Sequence, residues 1–260
     1  MHCQEVVLQL MFRSGIGRAL SYLSRTQAKS QPYLLKPKLR KMETSNTKPL
    51  VWIDCEMTGL DHVNDEIIEI CCIVTDGELK NLDTETKEQC YESVVHCPKE
   101  KLDAMDQWCL DHHGSSGLMD KVLASKKTKE QVEEELLNYL QKWIPEKRVG
   151  ILAGNSVHMD RLFMLKDFPR VVQYLHYRIV DVSSIMEVAR RHNPSLTAVV
   201  PKKEAAHTAK SDILESISQL QWYMDHYLKS EEETKEFVES QNEKRPSEEP
   251  IDQPQKKQCQ

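Results

Sequence analysis

The segment Leu50-Val51-Trp52-Ile53-Asp54-Cys55-Glu56-Met57-Thr58-Gly59-Leu60 restricts the folds open to this chain more than any other. It begins with four bulky apolar residues, and 50–55 reads as a buried β-strand. Side chains alternate across a strand, so Asp54 and Glu56 share one face while Cys55 points into the packing on the other. The sheet must therefore present two carboxylates together at one edge. Like charges that close repel and raise a carboxyl pKa unless a cation lies between them. Hard oxygen ligands suit Mg²⁺ or Mn²⁺. Two exposed acids at a strand end are the alternative, and D-x-E arises by chance in a chain with 41 acidic residues.

Downstream, Ile67–Thr75 reads as a second strand, Asp76-Gly77 as a turn, and Glu78–Leu82 and Glu92–His96 as further strands. Residues 102–124 read as helix broken at Gly114 and Gly117. Thr128–Trp143 has a helical apolar period, with Thr128 and Gln131 placed as a capping box. A short strand at Gly150–Ala153, a Gly154-Asn155-Ser156 turn and a helix follow. The last strand is read at Tyr177–Val180, then helices at Val182–Arg191 and Ala205–Tyr227. Antiparallel strands first, then strands alternating with helices, predict an α/β fold: a mixed sheet with helices on its faces.

The ends differ from this middle. Residues 1–42 hold eight Lys/Arg and a single acid, Glu5. Arg13, Arg18 and Arg25 are spaced among apolar residues and serines, the pattern of a mitochondrial targeting leader. Met42 offers a second start and, through it, a cytosolic or nuclear form. Residues 229–260 are charged and poor in apolar groups, and read as a disordered tail. Residues 43–228 carry 21 basic and 31 acidic residues. So acidic a domain is poorly suited to gripping a long phosphate backbone, which calls for a basic stripe. It can take a very short nucleic acid if metal ions supply positive charge. The chain has no apolar run long enough to span a membrane, and its eight cysteines form no C-x-x-C pair, which points to free thiols.

Two further clusters carry chemistry. Asp160 falls in the first turn of a helix after the Gly154-Asn155-Ser156 turn, near free backbone N–H groups, where it also complements the helix dipole. His207 and Asp212 stand five apart at the start of the last helix; taken alone, His207 also fits a surface position.

Taken together, D-x-E on the first strand, an Asp about a hundred residues later and His-x4-Asp near the final helix resemble the DEDDh superfamily of 3′→5′ exonucleases. WIDCEMTGLD, MDQWCLDHHGSSGL, LAGNSVHMDR, LHYRIVDVSS and HTAKSDILESISQLQWY resemble its oligoribonuclease branch, in order over residues 49–228. With the basic leader, the likeness is to the fungal mitochondrial kind. Two positions depart from it: Cys55 stands where an aliphatic residue is usual, and Ser211-Asp212 where many members have Asp-Asp.

The resemblance implies a ribonuclease H-like fold and an exonuclease domain over 49–228. It implies two divalent cations, Mg²⁺ or Mn²⁺, held by Asp54, Glu56, Asp160 and Asp212. His207 is implied as general base for the attacking water. Leu60 and Trp108 would pack against bases, and Ser156, Arg178 and Ser183 would bind the terminal 5′-phosphate. The resemblance further implies a homodimer in which Tyr177 and Arg178 serve the partner's site. The implied substrate is single-stranded RNA of about two to five nucleotides, a length at which base stacking on the order of 1–3 kcal/mol per base contributes to binding.

Overall fold

The computed structural model describes residues 48–201 and 208–243. The leader read over 1–42, the second start at Met42, the general base His207 and the tail beyond Glu243 lie outside the described residues. The elements, in chain order, are β1 (Leu50–Met57), β2 (Ile67–Thr75), β3 (Tyr91–Val94), α1 (Lys99–Asp103), α2 (Gln107–Ser115), α3 (Leu118–Ala124), α4 (Lys129–Trp143), β4 (Ile151–Gly154), α5 (His158–Asp167), α6 (Pro169–Tyr174), β5 (Ile179–Asp181), α7 (Val182–His192), α8 (Pro194–Thr197), α9 (Ala209–His226) and α10 (Glu231–Glu243).

Five strands form one sheet in the order β3-β2-β1-β4-β5. β1 pairs antiparallel with β2, and β2 with β3. β1 pairs parallel with β4, and β4 with β5. The parallel pairs need long crossovers, and helices supply them. This is the mixed α/β sheet that the order of elements predicts.

Alternation along β1 divides the core in two. Val51, Ile53 and Cys55 join Cys72, Val74 and Leu152 against the helices α4 to α6, which contribute Leu136, Leu140, Phe163 and Phe168. Trp52, Cys71, Ile73 and Ala153 face the other way, onto Ala189 of α7 and Ile213, Leu220 and Tyr223 of α9. Trp52 is fully buried, and its indole N–H donates to Thr75 Oγ1 at 3.0 Å. Asp54 and Glu56 continue the parity of Trp52, so α9 covers their face of the sheet.

Several boundaries differ from the sequence expectation. Glu78–Leu82 is not a strand; a single bridge joins Thr75 to Asn81. The Asp76 carboxylate accepts from the N–H groups of Glu78 and Lys80, both at 2.9 Å, and Leu79 takes a left-handed φ of 65°. Those bonds turn the chain where a strand would have continued. The helical stretch 102–124 is three helices. Asp106 caps α2 by accepting from Cys109 N at 2.8 Å, Gly114 lies inside α2, and Gly117, with φ 73°, separates α2 from α3. The last strand begins at Ile179, so Tyr177 and Arg178 precede it. Within the tail, read as disordered, 231–243 is helical. Ser230 and Glu233 form a reciprocal cap, and three glutamates occupy the first turn, where the helix dipole favours them. This helix buries no residue, which is why apolar content did not reveal it.

Candidate active site

β1 delivers Asp54 and Glu56 to its C-terminal end. Across the sheet, Glu69 of β2 is in register with Glu56, and Cys71 with Asp54. The first turn of α9 descends on this edge. Thr208 caps it: its Oγ1 accepts from Ser211 N at 3.3 Å, and Ser211 Oγ accepts in return from Thr208 N at 3.2 Å. Ser211, one of the two departures from the family pattern, thus completes a capping box. Burial raises the Glu69 carboxyl above its ordinary pKa, and the nearby backbone N–H of Ala209 at the helix start acts against it.

These supports bring oxygens of Asp54, Glu56 and Asp212 within 4.8 Å of one another. Asp160 is not one of that group. It is the third residue of α5, is buried, and its Oδ1 accepts the Cys55 N–H at 2.9 Å. It therefore meets β1 between Asp54 and Glu56, at the backbone.

The electrostatics follow from this crowding. Burial, then the charges of Glu69, Asp212 and Asp160, push the Glu56 carboxyl up to about 7. Burial likewise raises Asp160 to about 7, opposed by the Cys55 N–H. A site that penalises its own negative charge, and offers only hard oxygens, fits a divalent cation.

Beside the acids runs a groove of about 420 Å³, lined by Glu56, Leu60, Trp108, Cys109 and His113 among others. Leu60 is 78 % and Trp108 65 % exposed, so neither serves the core. Trp108 stacks on His112, with ring centroids 4.6 Å apart and planes 11° from parallel. The Thr58-Gly59 turn holds Leu60 outward. Asp65 accepts from Thr58 Oγ1 at 2.9 Å and Asp61 N at 3.0 Å, and a Cβ on Gly59 would overlap that carboxylate.

A second cavity, of about 500 Å³, is lined by Asn155, Ser156, Ser183, Arg190 and Tyr223 among others. Asp181 organises it, for its Oδ1 accepts from Ser156 N and Ser183 N at 3.0 Å and from Ser183 Oγ at 2.6 Å. Against the effect of burial, bonds from Ser183, His158 and Ser156 hold the Asp181 carboxyl below its ordinary pKa. Tyr177 and Arg178 line neither cavity. Tyr177 is 67 % exposed and stacks on His176 at 4.5 Å, and the Arg178 guanidinium lies 5.5 Å from the Tyr177 ring centroid.

The family model described as Exonuclease matches residues 51–220. The mitochondrial oligoribonuclease of Saccharomyces cerevisiae is 66 % identical over 203 residues, 77 % of this chain and 75 % of that protein. This chain belongs to the oligoribonuclease family. The mitochondrial oligoribonuclease of Homo sapiens is 41 % identical over 77 % of this chain and 83 % of its own. Among solved structures, Escherichia coli exonuclease I in complex with a dA16 oligonucleotide superposes with a TM-score of 0.53 at 13 % identity. That match covers 69 % of this chain but 41 % of exonuclease I, and concerns the fold, a ribonuclease H-like one.

Within this oligoribonuclease-family site, two residues escaped the reading of the sequence. Glu69 announced itself as a lone acid inside the apolar run of β2. His113, beside exposed-looking neighbours, gave no such sign; it is 1 % exposed and lies against Glu56 and Met57.

Proposed function

We propose that this 3′→5′ exoribonuclease acts on RNA of about two to five nucleotides, releasing nucleoside 5′-monophosphates. The observation that carries the reading is the convergence of Asp54, Glu56 and Asp212 beside a groove with Leu60 and Trp108 exposed on it. Asp54, Glu56, Asp160 and Asp212 hold two divalent cations, Mg²⁺ or Mn²⁺. When bound, these supply charge that activates water and stabilises the leaving oxygen. His207 takes the proton of the attacking water, a task suited to a group titrating near neutrality. Leu60 and Trp108 pack against bases without reading their identity. Ser156 and Ser183, held together by Asp181, receive the 5′-phosphate together with Arg178 of the partner subunit. A site closed at the 5′-phosphate end limits substrate length, and the acidic surface agrees with a ligand that needs no basic track. The names of the yeast and human relatives, with the basic leader, support a mitochondrial location. No helix among the described residues is long and apolar enough to cross a membrane.

A length series of labelled RNA tests the substrate claim. Dinucleotides and trinucleotides are expected to be hydrolysed at least about tenfold faster than a 20-mer, the discrimination that one stacked base and one phosphate contact supply, and EDTA to stop the reaction. Equal rates at every length would remove it. The shared site has its own test. Subunits carrying Tyr177→Ala and subunits carrying Asp54→Ala, each inactive alone, are expected to regain activity when exchanged into hybrids. No recovery despite proven exchange would place Tyr177 outside the partner's site.

A further inference from the structure

The Gly154-Asn155-Ser156 turn joins the two ends of the site. On one side, Ser156 keeps a left-handed φ of 52°, and its N–H donates to Asp181 Oδ1 at 3.0 Å. A serine in that region costs free energy, and such residues persist where their surroundings fix them, often at ligand clamps. On the other side, the Asn155 amide reaches α9. Its Nδ2 donates to Ser216 Oγ at 2.8 Å and to Gln219 Oε1 at 3.0 Å. Residues three apart on a helix are neighbours on one face, so Asn155 grips α9 at two adjacent points.

The chain of bonds continues to the acids. Ser216 is 3 % exposed, and its hydroxyl donates to the Asp212 carbonyl oxygen at 2.7 Å. A hydroxyl that bonds back to the carbonyl four residues earlier often bends its helix, and this one acts on the turn that holds Asp212. The amide gives to the hydroxyl and the hydroxyl to the carbonyl, so the two bonds strengthen each other. Asp212 in turn brings its carboxylate to Asp54 and Glu56. Ser216 does not line the cavity that Ser156 and Ser183 share.

We propose that Asn155 is a positioning residue: a 5′-phosphate seated on Ser156 fixes Asn155, which through Ser216 sets the turn of α9 that carries Asp212. The far end of the substrate then raises the rate of hydrolysis and not its binding alone. Binding energy from a group that does not react is used to orient the reacting centre. This rests on the reading above that Ser156 and Ser183 receive the 5′-phosphate.

The test compares a diribonucleotide bearing a 5′-phosphate with its twin bearing a 5′-hydroxyl. In wild type the phosphate is expected to lower KM and also to raise kcat about fivefold, the worth of one neutral hydrogen bond. Asn155→Ala and Ser216→Ala are each expected to bring the kcat ratio to about one. Ser216→Ala, which puts a good helix former inside α9, is expected to keep the wild-type KM ratio. A purely structural role would instead lower kcat for both substrates alike. A second readout needs no turnover. In EDTA, with each dinucleotide saturating, amide exchange over 209–216 of wild type is expected to be about fivefold slower with the 5′-phosphate than with the 5′-hydroxyl. In Ser216→Ala the two are expected to match. A wild-type phosphate effect confined to KM, wild-type exchange indifferent to the phosphate, or a Ser216→Ala protein with the full kcat ratio overturns the proposal and leaves the phosphate site standing. The wild-type measurements decide even if a substitution fails to fold. Equal kcat/KM for the two dinucleotides in wild type would instead remove the underlying reading, and the proposal with it.

Discussion

Asp212→Ala is expected to lower kcat on dinucleotides by on the order of 10³-fold while the protein remains folded. A cation that stabilises transition-state charge is worth several kcal/mol, and each 1.36 kcal/mol is tenfold in rate. Losing one of three converging carboxylates removes much of that hold. The fold does not depend on it. α9 is anchored by Ile213, Leu220 and Tyr223 in the core and by the reciprocal cap between Thr208 and Ser211. Removing one of several like charges also relieves Glu56, whose carboxyl is pushed up partly by Asp212. Steady-state hydrolysis and a circular-dichroism melt on the same preparation check both halves. A folded variant retaining more than about a tenth of wild-type activity, less than 1.4 kcal/mol of lost stabilisation, would exclude Asp212 as a ligand.

The second large effect is on stability, and its sign follows from the same crowding. Glu56 has its carboxyl raised from 4.5 to about 7 in the folded chain, by burial first and then by Glu69, Asp212 and Asp160. Its proton is therefore held more tightly folded than unfolded, so stability falls as pH rises between the two values. In EDTA the protein is expected to lose about 3 kcal/mol from Glu56 alone between about pH 4.5 and about pH 7. Asp160, raised from 3.8 to about 7, acts in the same direction. Above the folded value the loss is complete, and a divalent cation restores stability by binding the ionised site. Denaturant unfolding across this range, with EDTA and with Mn²⁺, measures it. A flat or rising profile in EDTA would contradict the electrostatics.

What could be seen in the sequence was local. β1 and β2 were visible because their apolar residues and alternation are contiguous, and α4 because its cap is: Thr128 N donates to Gln131 Oε1 at 2.9 Å and Gln131 N to Thr128 Oγ1 at 3.3 Å. The pairing of Asp54 with Glu56 on one face needs only strand parity. Local patterns also misled. Asp76-Gly77 suggested a hairpin, but the Asp76 side chain captures two backbone N–H groups and the returning strand never forms. The tail looked disordered by composition, whereas Ser230 and Glu233 start a helix that needs no core. The contact of Asp160 with Cys55 N spans 105 residues, and no spacing rule reveals it. His113 carries no local sign of its role, because its burial arises only when α2 packs on the end of β1.

The account depends on Asp54, Glu56 and Asp212 acting together to bind divalent cations. Manganese binding by calorimetry near neutral pH, on wild type and on the doubly substituted Asp54→Ala, Asp212→Ala protein, tests this without reference to catalysis. Saturable binding by wild type that the double substitution abolishes is the predicted result; the same binding curve from both proteins would contradict it.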